Sequence, residues 1–237
     1  YEELMKLIGL ARELKVSKVR LTGGEPFARK GFVDFVREVH AAYGDLDLRI
    51  TTNGTLLAGK AKALFQAGVK RLNISLDTLD AAKFERITGR DLFWTVRKAV
   101  DECLDAGIGV KINTVALKGV NDDELPGLLE LARKNPLDLR FIEFMPIGHS
   151  GGWSPERIWT ADQILDAARN LADLEPVQEP TEARGPARMF RIRGGAGRIG
   201  LISPLSNHFC ATCNRLRITA SGGLRTCLFS DREYRLR

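Results

Sequence analysis

The chain has 237 residues, of which 44% are hydrophobic and 28% are charged, and its formal net charge at pH 7 is +6. A chain of this length and composition can bury a sizeable core, as globular proteins do. No apolar run approaches the roughly 18 residues that cross a bilayer, and no short repeat occurs, which argues against membrane-spanning and repeat classes. The helical pattern already present at Tyr1 and the absence of a stop signal before Arg237 lead us to expect further sequence at both ends.

From residue 1 to about 150, the hydrophobic pattern alternates between strands and helices. The predicted strands are 18–22, 47–51, 70–76, 109–115 and 138–144, and the predicted helices between them are 32–42, 56–66, 92–104 and 123–134. Such alternation predicts a parallel sheet with helical crossovers, either open or closed into a barrel.

After Trp153 the pattern changes. A helix is predicted over 160–171, a surface loop rich in Pro, Glu and Arg over 175–186, and short strands over 189–193 and 197–202. We interpret this part as a second layer or lid.

Period two along the first five strands separates an apolar outer face from an inner face of polar residues. The residues assigned to the inner face are Arg20, Thr22, Arg49, Thr51, Asn73, Ser75, Lys111, Asn113, Glu143 and Met145, with Ile142 and Phe144 outside. Buried polar groups without partners cost about 1–3 kcal/mol each, so a polar interior indicates a ligand-filled one. Two alternatives are a network of mutually paired groups, with Glu143 as a partner for Arg20 or Lys111, and strand ends that reach solvent.

The most informative segment contains Cys210, Cys213 and Cys227. No segment resembles a signal peptide and cysteines are few, so we expect a reducing compartment and thiolates that bind a metal. Clusters and structural zinc normally have four protein ligands, so three cysteines leave one position open to a substrate. From spacing alone, a zinc site completed by His208 or Cys103 stays open as an alternative.

The carboxyl-terminal part is strongly basic. Residues 184–237 contain eleven arginines and no lysine, with Asp231 and Glu233 as the acids. The planar arginine fork suits phosphates, which favours a nucleotide or nucleic acid as ligand. Nucleic acid is the weaker choice because no series of stacking aromatics accompanies the arginines.

Paired glycines in Thr22-Gly23-Gly24-Glu25-Pro26 follow a predicted strand, where the backbone turns sharply or approaches a ligand. This motif, with Thr51-Thr52-Asn53-Gly54, Asn73-Ile74-Ser75-Leu76-Asp77, Phe141-Ile142-Glu143-Phe144-Met145-Pro146 and the cysteine segment ending in Asn214-Arg215-Leu216-Arg217, resembles the radical S-adenosylmethionine enzymes of the GTP 3′,8-cyclase family. The resemblance runs through essentially the whole chain. It implies an α/β fold: an incomplete, open parallel βα barrel over 1–150 and a small carboxyl-terminal cluster-binding and substrate-binding α+β layer over 151–237.

The resemblance also implies an activity and a site. In this family S-adenosylmethionine is cleaved reductively to a 5′-deoxyadenosyl radical, which starts the cyclisation of GTP to 3′,8-cyclo-7,8-dihydro-GTP in molybdenum cofactor biosynthesis. The implied S-adenosylmethionine contacts are Gly24, Ser75 and Met145; the GTP contacts are Arg20, Thr51, Lys111, Arg215, Leu216 and Arg217; and Cys210, Cys213 and Cys227 hold the second of two 4Fe-4S clusters. No catalytic residue is assigned.

The family's first cluster uses a C-x3-C-x2-C motif that does not occur in these 237 residues. We expect it shortly before Tyr1, and we expect these 237 residues to be inactive without it. The implied partners are GTP, an external electron donor and cyclic pyranopterin monophosphate synthase as the next enzyme, in the cytoplasm, without membrane or nucleic acid. A homodimer stays open. Two other hypotheses remain: a radical enzyme that modifies a peptide, and a non-enzymatic protein that binds zinc and nucleic acid.

Overall fold

The structure is a computed structural model that describes residues 1–146, 154–178 and 185–236, without the side chain of Thr212. The helices are α1 (Glu2–Glu13), α2 (Phe32–Ala42), α3 (Ala61–Gln66), α4 (Ala81–Thr88), α5 (Phe93–Asp105), α6 (Leu125–Lys134) and α7 (Ala161–Arg169). The strands are β1 (Lys18–Leu21), β2 (Asp47–Thr52), β3 (Arg71–Ser75), β4 (Gly109–Ala116), β5 (Asp138–Glu143), β6 (Leu174–Pro176), β7 (Ala187–Ile192), β8 (Arg198–Ile202), β9 (Arg217–Ile218), β10 (Gly223–Arg225) and β11 (Tyr234–Arg235).

The predicted alternation of helices and strands is confirmed, although the prediction missed α4. This helix begins where Asp80 accepts a hydrogen bond from the backbone of Lys83 and ends at Gly89, which has a φ of 71°. An aspartate amino cap and a glycine beyond the last turn are ordinary helix signals. The predicted boundary near residue 150 and much of the loop 175–186 lie outside the described residues.

Eight strands form one sheet in the order β1-β2-β3-β4-β5-β8-β7-β6. Neighbours from β1 through β5 to β8 are parallel, whereas β7 and β6 are added antiparallel. Among the described residues β1 and β6 are its two edges, so the sheet is open, as expected. The second half of the chain thus has two parts: β6, β7 and β8 extend the main sheet, and β9, β10 and β11 form a separate small one.

One face of the main sheet packs against the helices. Its strand residues include Ile50, Leu72, Ile74, Ile112 and Leu139, each completely buried. Burying an aliphatic side chain contributes about 1.5–3 kcal/mol, so this interface accounts for a large part of the stability. Within the described residues no helix is both long and apolar enough to span a bilayer.

The opposite face is polar, and we call it the polar face. Residues that are register partners on adjacent parallel strands point to the same side. The row Thr51, Asn73, Lys111, Asp138 and Arg198 crosses five strands, and the next row toward the carboxyl ends contains Ser75, Asn113, Arg140 and Gly200. The predicted polar face is therefore confirmed on β2, β3 and β4.

On β5 the predicted faces are wrong. Glu143 is the register partner of Ala116, on the helix side, and Ile142 is the partner of Val115, on the polar face. Each face of β5 mixes polar and apolar residues: Asp138 and Arg140 share the polar face with Ile142, and Glu143 shares the helix side with Leu139 and Phe141. Glu143 is consequently no partner for Lys111.

Candidate functional site

Glu25 joins two of the sequence motifs at the carboxyl end of the sheet. Its carboxylate accepts hydrogen bonds from the Thr52 hydroxyl at 2.8 Å and from the backbone N–H of Asn53 at 2.8 Å and Phe27 at 3.1 Å. The Thr52 hydroxyl in turn accepts from the N–H of Gly54 at 3.0 Å. The glutamate therefore fixes the glycine turn after β1 against the loop after β2.

The predicted S-adenosylmethionine residues lie at three strand ends, on the same edge of the sheet as this turn. Gly23 has a φ of 149°, a value that favours glycine, and both it and Gly24 have open space where a Cβ would stand. Ser75 ends β3 and is exposed, and Met145 follows β5 and is half-buried. All three predicted positions thus belong to the carboxyl edge of the sheet, from β1 to β5.

Arg20 and Thr51 meet on the polar face. A guanidinium nitrogen of Arg20 donates to the Thr51 hydroxyl oxygen at 3.3 Å, and the Asn73 amide donates to the same oxygen at 3.3 Å. Arg20 is exposed as a residue, but partial desolvation of its guanidinium and the positive charges of neighbouring arginines, Arg140 first among them, lower its pKa to about 10. A site that crowds cations in this way favours a polyanionic ligand.

Lys111 forms an ion pair that the sequence analysis did not foresee. Its ammonium lies 2.9 Å from the carboxylate of Asp138, which also accepts two hydrogen bonds from Arg198 at 2.7 and 2.9 Å. Burial and the charge of Arg140 lower the pKa of Lys111 to about 8, although Asp138 acts in the opposite direction. The pKa of Asp138, which burial would raise, is held below its usual value by Arg198 and Lys111.

The carboxyl-terminal arginines reach the same region. The charge of Arg215 contributes to the lowered pKa of Arg20, so this segment stands within electrostatic range of the polar face. The Arg215 guanidinium lies 5.1 Å from the centre of the Phe209 ring. Leu216 is exposed, and Arg217 begins β9. Sequence-distant cations thus lie along one side of the molecule.

The cysteines are only partly brought together. Cys210 and Cys213 share one turn of 3-10 helix, closed by a hydrogen bond of 3.1 Å from the Cys213 N–H to the Cys210 carbonyl, and β10 leads to Cys227. Cys213 and Cys227 both act electrostatically on Arg217. Hydrogen bonds from the backbone and side chain of Arg215 lower the pKa of Cys213. No group of three His, Cys, Asp or Glu side chains in the described part of the chain is arranged to hold a metal ion.

Two groups on the polar face escaped the sequence prediction. Asp138 and Arg140 begin β5 and are both buried, although their residue types are usually exposed. Alternation counted from Lys111 and Asn113 on β4 would have found them, because their parallel register partners are Asp138 and Arg140. The sequence prediction started the alternation at Glu143, which lies on the helix side, and therefore assigned the residues of β5 to the opposite faces.

The fold and the matching family models define a radical S-adenosylmethionine protein. The family model described as the Radical SAM superfamily matches residues 1–132, and the model described as Molybdenum Cofactor Synthesis C matches 137–237. The solved structure of Streptococcus suis SuiB bound to S-adenosylmethionine has a TM-score of 0.59 at 17% identity, and the match covers 71% of this chain and 40% of that one. At that identity the likeness shows the fold alone.

Two curated relatives identify the family within this class. The GTP 3′,8-cyclase of Pelotomaculum thermopropionicum is 45% identical over 100% of this chain and 73% of its own length. The GTP 3′,8-cyclase of Thermodesulfovibrio yellowstonii is 44% identical over 98% of this chain and 72% of its own length. The chain belongs to the GTP 3′,8-cyclase family.

Proposed function

We propose that the protein converts GTP to 3′,8-cyclo-7,8-dihydro-GTP by a radical mechanism, as the first step of molybdenum cofactor biosynthesis. The observation that supports this most strongly is the meeting of cations from distant parts of the sequence. Arg20 on β1, Lys111 on β4 and Arg215 before β9 act on one region of the polar face. Several fixed cations in one cleft suit a triphosphate, which carries several negative charges.

In this proposal Arg20, Lys111, Arg215 and Arg217 bind the phosphates, while Thr51 orients Arg20 and Leu216 contributes an exposed apolar contact. The hydrogen bond from Arg20 to the Thr51 hydroxyl supports the role of Thr51. These groups hold the substrate in one orientation on the sheet, and orientation alone contributes several kcal/mol to catalysis in favourable cases.

S-adenosylmethionine would bind at the carboxyl edge, at Gly24, Ser75 and Met145. The residues fit such a ligand because the turn at Gly23 and Gly24 is open and because the buried side-chain oxygen of Asn113 accepts no hydrogen bond from the described residues. Asn113 is the register partner of Ser75, so this acceptor faces the same edge. When bound and reduced by its cluster, S-adenosylmethionine supplies the 5′-deoxyadenosyl radical.

The second of two 4Fe-4S clusters would be held by Cys210, Cys213 and Cys227. The donor set fits because thiolates are the usual ligands of such clusters, all three thiols are exposed, and hydrogen bonds already favour the thiolate of Cys213. Three ligands would leave room for the purine. The structure does not preform this site, so we propose that the segment closes around the cluster.

The test is an anaerobic assay of the reduced holoenzyme with S-adenosylmethionine and GTP, in which 5′-deoxyadenosine and the cyclised nucleotide are both measured. K111M should raise KM for GTP at least about tenfold, the effect of losing about 1.4 kcal/mol. K118M, which removes an exposed lysine of the loop after β4, is the matched control. If S-adenosylmethionine is cleaved to 5′-deoxyadenosine but no cyclised nucleotide forms, the protein is still a radical enzyme, but GTP is refuted as its substrate.

A second pair of variants tests the cluster. C213A should lower the iron and sulfide content by about half if two clusters of equal size are present, whereas C103A should leave it unchanged. Cys103 is completely buried and burial raises its pKa to about 12, so it is a poor metal ligand. A colourless protein with one tightly held zinc would refute the cluster.

The remaining parts of the proposal concern context. We place the protein in the cytoplasm, with an external electron donor, cyclic pyranopterin monophosphate synthase as the next enzyme, and two functional regions that divide near residue 150. Homodimer formation is a further proposal, which analytical ultracentrifugation of the holoenzyme would test.

A further inference from the structure

The pairing of β5 with β4 on one side and with β8 on the other holds the Lys111–Asp138 ion pair in place. Lys111 and Asp138 are register partners on β4 and β5, and Asp138 and Arg198 are register partners on β5 and β8. Directly paired residues on one face have neighbouring Cβ atoms, so the strands themselves impose these contacts. Asp138 is 7% exposed and its carboxylate accepts two hydrogen bonds from Arg198.

We infer that Asp138 is a positioning residue, which keeps the Lys111 ammonium charged and in place on the polar face until the triphosphate replaces the carboxylate as its counter-charge. The inference rests on the proposed function in that it takes GTP as the anion. Arg198 is the group that makes the exchange feasible. Once Lys111 turns to the phosphates, the buried carboxylate still has its two hydrogen bonds from Arg198, so no buried charge is left without a partner.

The charges around Lys111 show why it needs this partner. Arg49, which is itself paired with Asp47, lies on the same face of β2. Asp138 and Arg140 face Lys111 from β5, and Arg198 lies beyond Asp138 on β8. On β3 the register partner Asn73 is neutral, and Arg71 lies on the same face two residues nearer the amino end. Burial and the two arginines Arg140 and Arg49 favour the neutral amine, and Asp138 opposes them. An opposite charge at this distance typically shifts a pKa by about 1–3 units.

The sign of the effect follows from linkage. Binding a polyanion raises the pKa of Lys111, so GTP binding takes up protons to the extent that the lysine is neutral beforehand. With a pKa of about 8, the wild-type protein should take up about 0.1 proton per GTP through Lys111 at about pH 7. In D138N the lysine starts about half neutral or more, so the uptake should rise at least about fivefold.

The experiment is isothermal titration calorimetry of the anaerobic holoenzyme with GTP, at about pH 7, in two buffers of different ionisation enthalpy. The K111M protein gives the baseline for protons that other groups and the nucleotide take up. R198M is the matched control, because it breaks the other interaction of the same carboxylate and leaves the Lys111 pair in place. The double variant D138N/R198M removes the buried carboxylate charge together with its half-buried arginine partner, and it serves if D138N alone does not fold.

The expected result is a proton uptake that rises in D138N and in the double variant and stays at the wild-type value in R198M. If D138N takes up the same number of protons per GTP as the wild type, or if proton uptake increases equally in D138N and R198M, the role of Asp138 is overturned while the GTP site stands. Wild-type GTP affinity in K111M would instead overturn the proposed place of Lys111, and with it the inference.

Discussion

Glu143 is the group whose replacement tests most sharply how the cysteine segment is attached to the main sheet. Its buried carboxylate accepts hydrogen bonds from the N–H of Ala161 at 2.9 Å, from the N–H of Leu205 and Ser206 at 3.0 Å each, and from the Ser206 hydroxyl. Ala161 begins α7, and Leu205 and Ser206 precede Cys210 by five and four residues. One side chain thus joins β5, a helix and the start of the segment that we propose binds the cluster.

Replacement by glutamine keeps the volume but puts an NH2 group in place of one acceptor oxygen. Buried donors that lose their acceptor cost about 1–3 kcal/mol each, and hydrogen bonds to a charged group contribute about 1.5–3 kcal/mol. We therefore expect E143Q to lose about 2–4 kcal/mol of the free energy of unfolding at neutral pH. E38Q, which changes an exposed glutamate of α2, is the control and should leave that free energy unchanged.

The loss should also depend on pH. Burial alone would raise the pKa of Glu143, but the hydrogen bonds from Ser206, Ala161 and Leu205 outweigh it and hold the pKa below the ordinary value. A carboxylate with a lowered pKa stabilises the fold above its unfolded pKa, about 4.3, and ceases to do so as the pH falls through the folded pKa. The difference between wild type and E143Q should accordingly narrow below about pH 4.

Urea unfolding measures the free energy, and hydrogen exchange locates the change. Faster exchange should be confined to the amides at the start of α7 and to 203–207. An E143Q protein within about 0.5 kcal/mol of wild type would refute the reasoning, and so would faster exchange spread evenly over the chain.

Three further predictions follow from single contacts. E25Q should weaken S-adenosylmethionine binding about three- to tenfold without changing GTP affinity, since Glu25 fixes the turn at Gly24. Equilibrium dialysis would measure both affinities, and equal losses of affinity for the two ligands would contradict the prediction. G200A should lower GTP affinity several-fold, because the added Cβ would lie 2.6 Å from the Met189 sulfur and 3.2 Å from Cγ of Arg140 on the polar face. G185A, at an open position, is the control, and equal GTP affinities of the two variants would refute the effect. C103A should lower the free energy of unfolding by about 1 kcal/mol and leave the rate of S-adenosylmethionine cleavage unchanged, so a lost activity would show that the thiol has a role.

Much of the fold could be predicted because periodicity reports burial directly. The bounds of α2 match the prediction, and each of β1 to β5 lies within two residues of its predicted bounds. The place of β8 could not be predicted in the same way. Its apolar run is compatible with a second layer or with a sixth parallel strand, and only its pairing with β5 decides between them.

The site was predicted unevenly for a related reason. Arg20, Thr51 and Lys111 stand on strands whose other face is mostly apolar, with Thr52 and Thr114 as the polar exceptions, so their side was clear. On β5 Asp138 and Glu143 are both buried acids on opposite faces, and one is paired with lysine and arginine while the other caps a helix. Polarity alone does not separate these two roles, because both satisfy the requirement that a buried charge has partners.

The distribution of charge along the strands gives the polar face two different ends. Arg20, Arg49 and Lys111 occupy the rows toward the amino ends, and Arg140 shares the next row with Ser75 and Asn113. The last row before the carboxyl edge, with Val115 and Ile142, is uncharged. A triphosphate drawn to the cationic rows would leave this uncharged row and the Gly23-Gly24 turn free for a second ligand. Two ligands bound in this order would lie side by side along the strands, with the reacting sugar between them. The direction of the strands themselves would then set the order of the two ligands in the site.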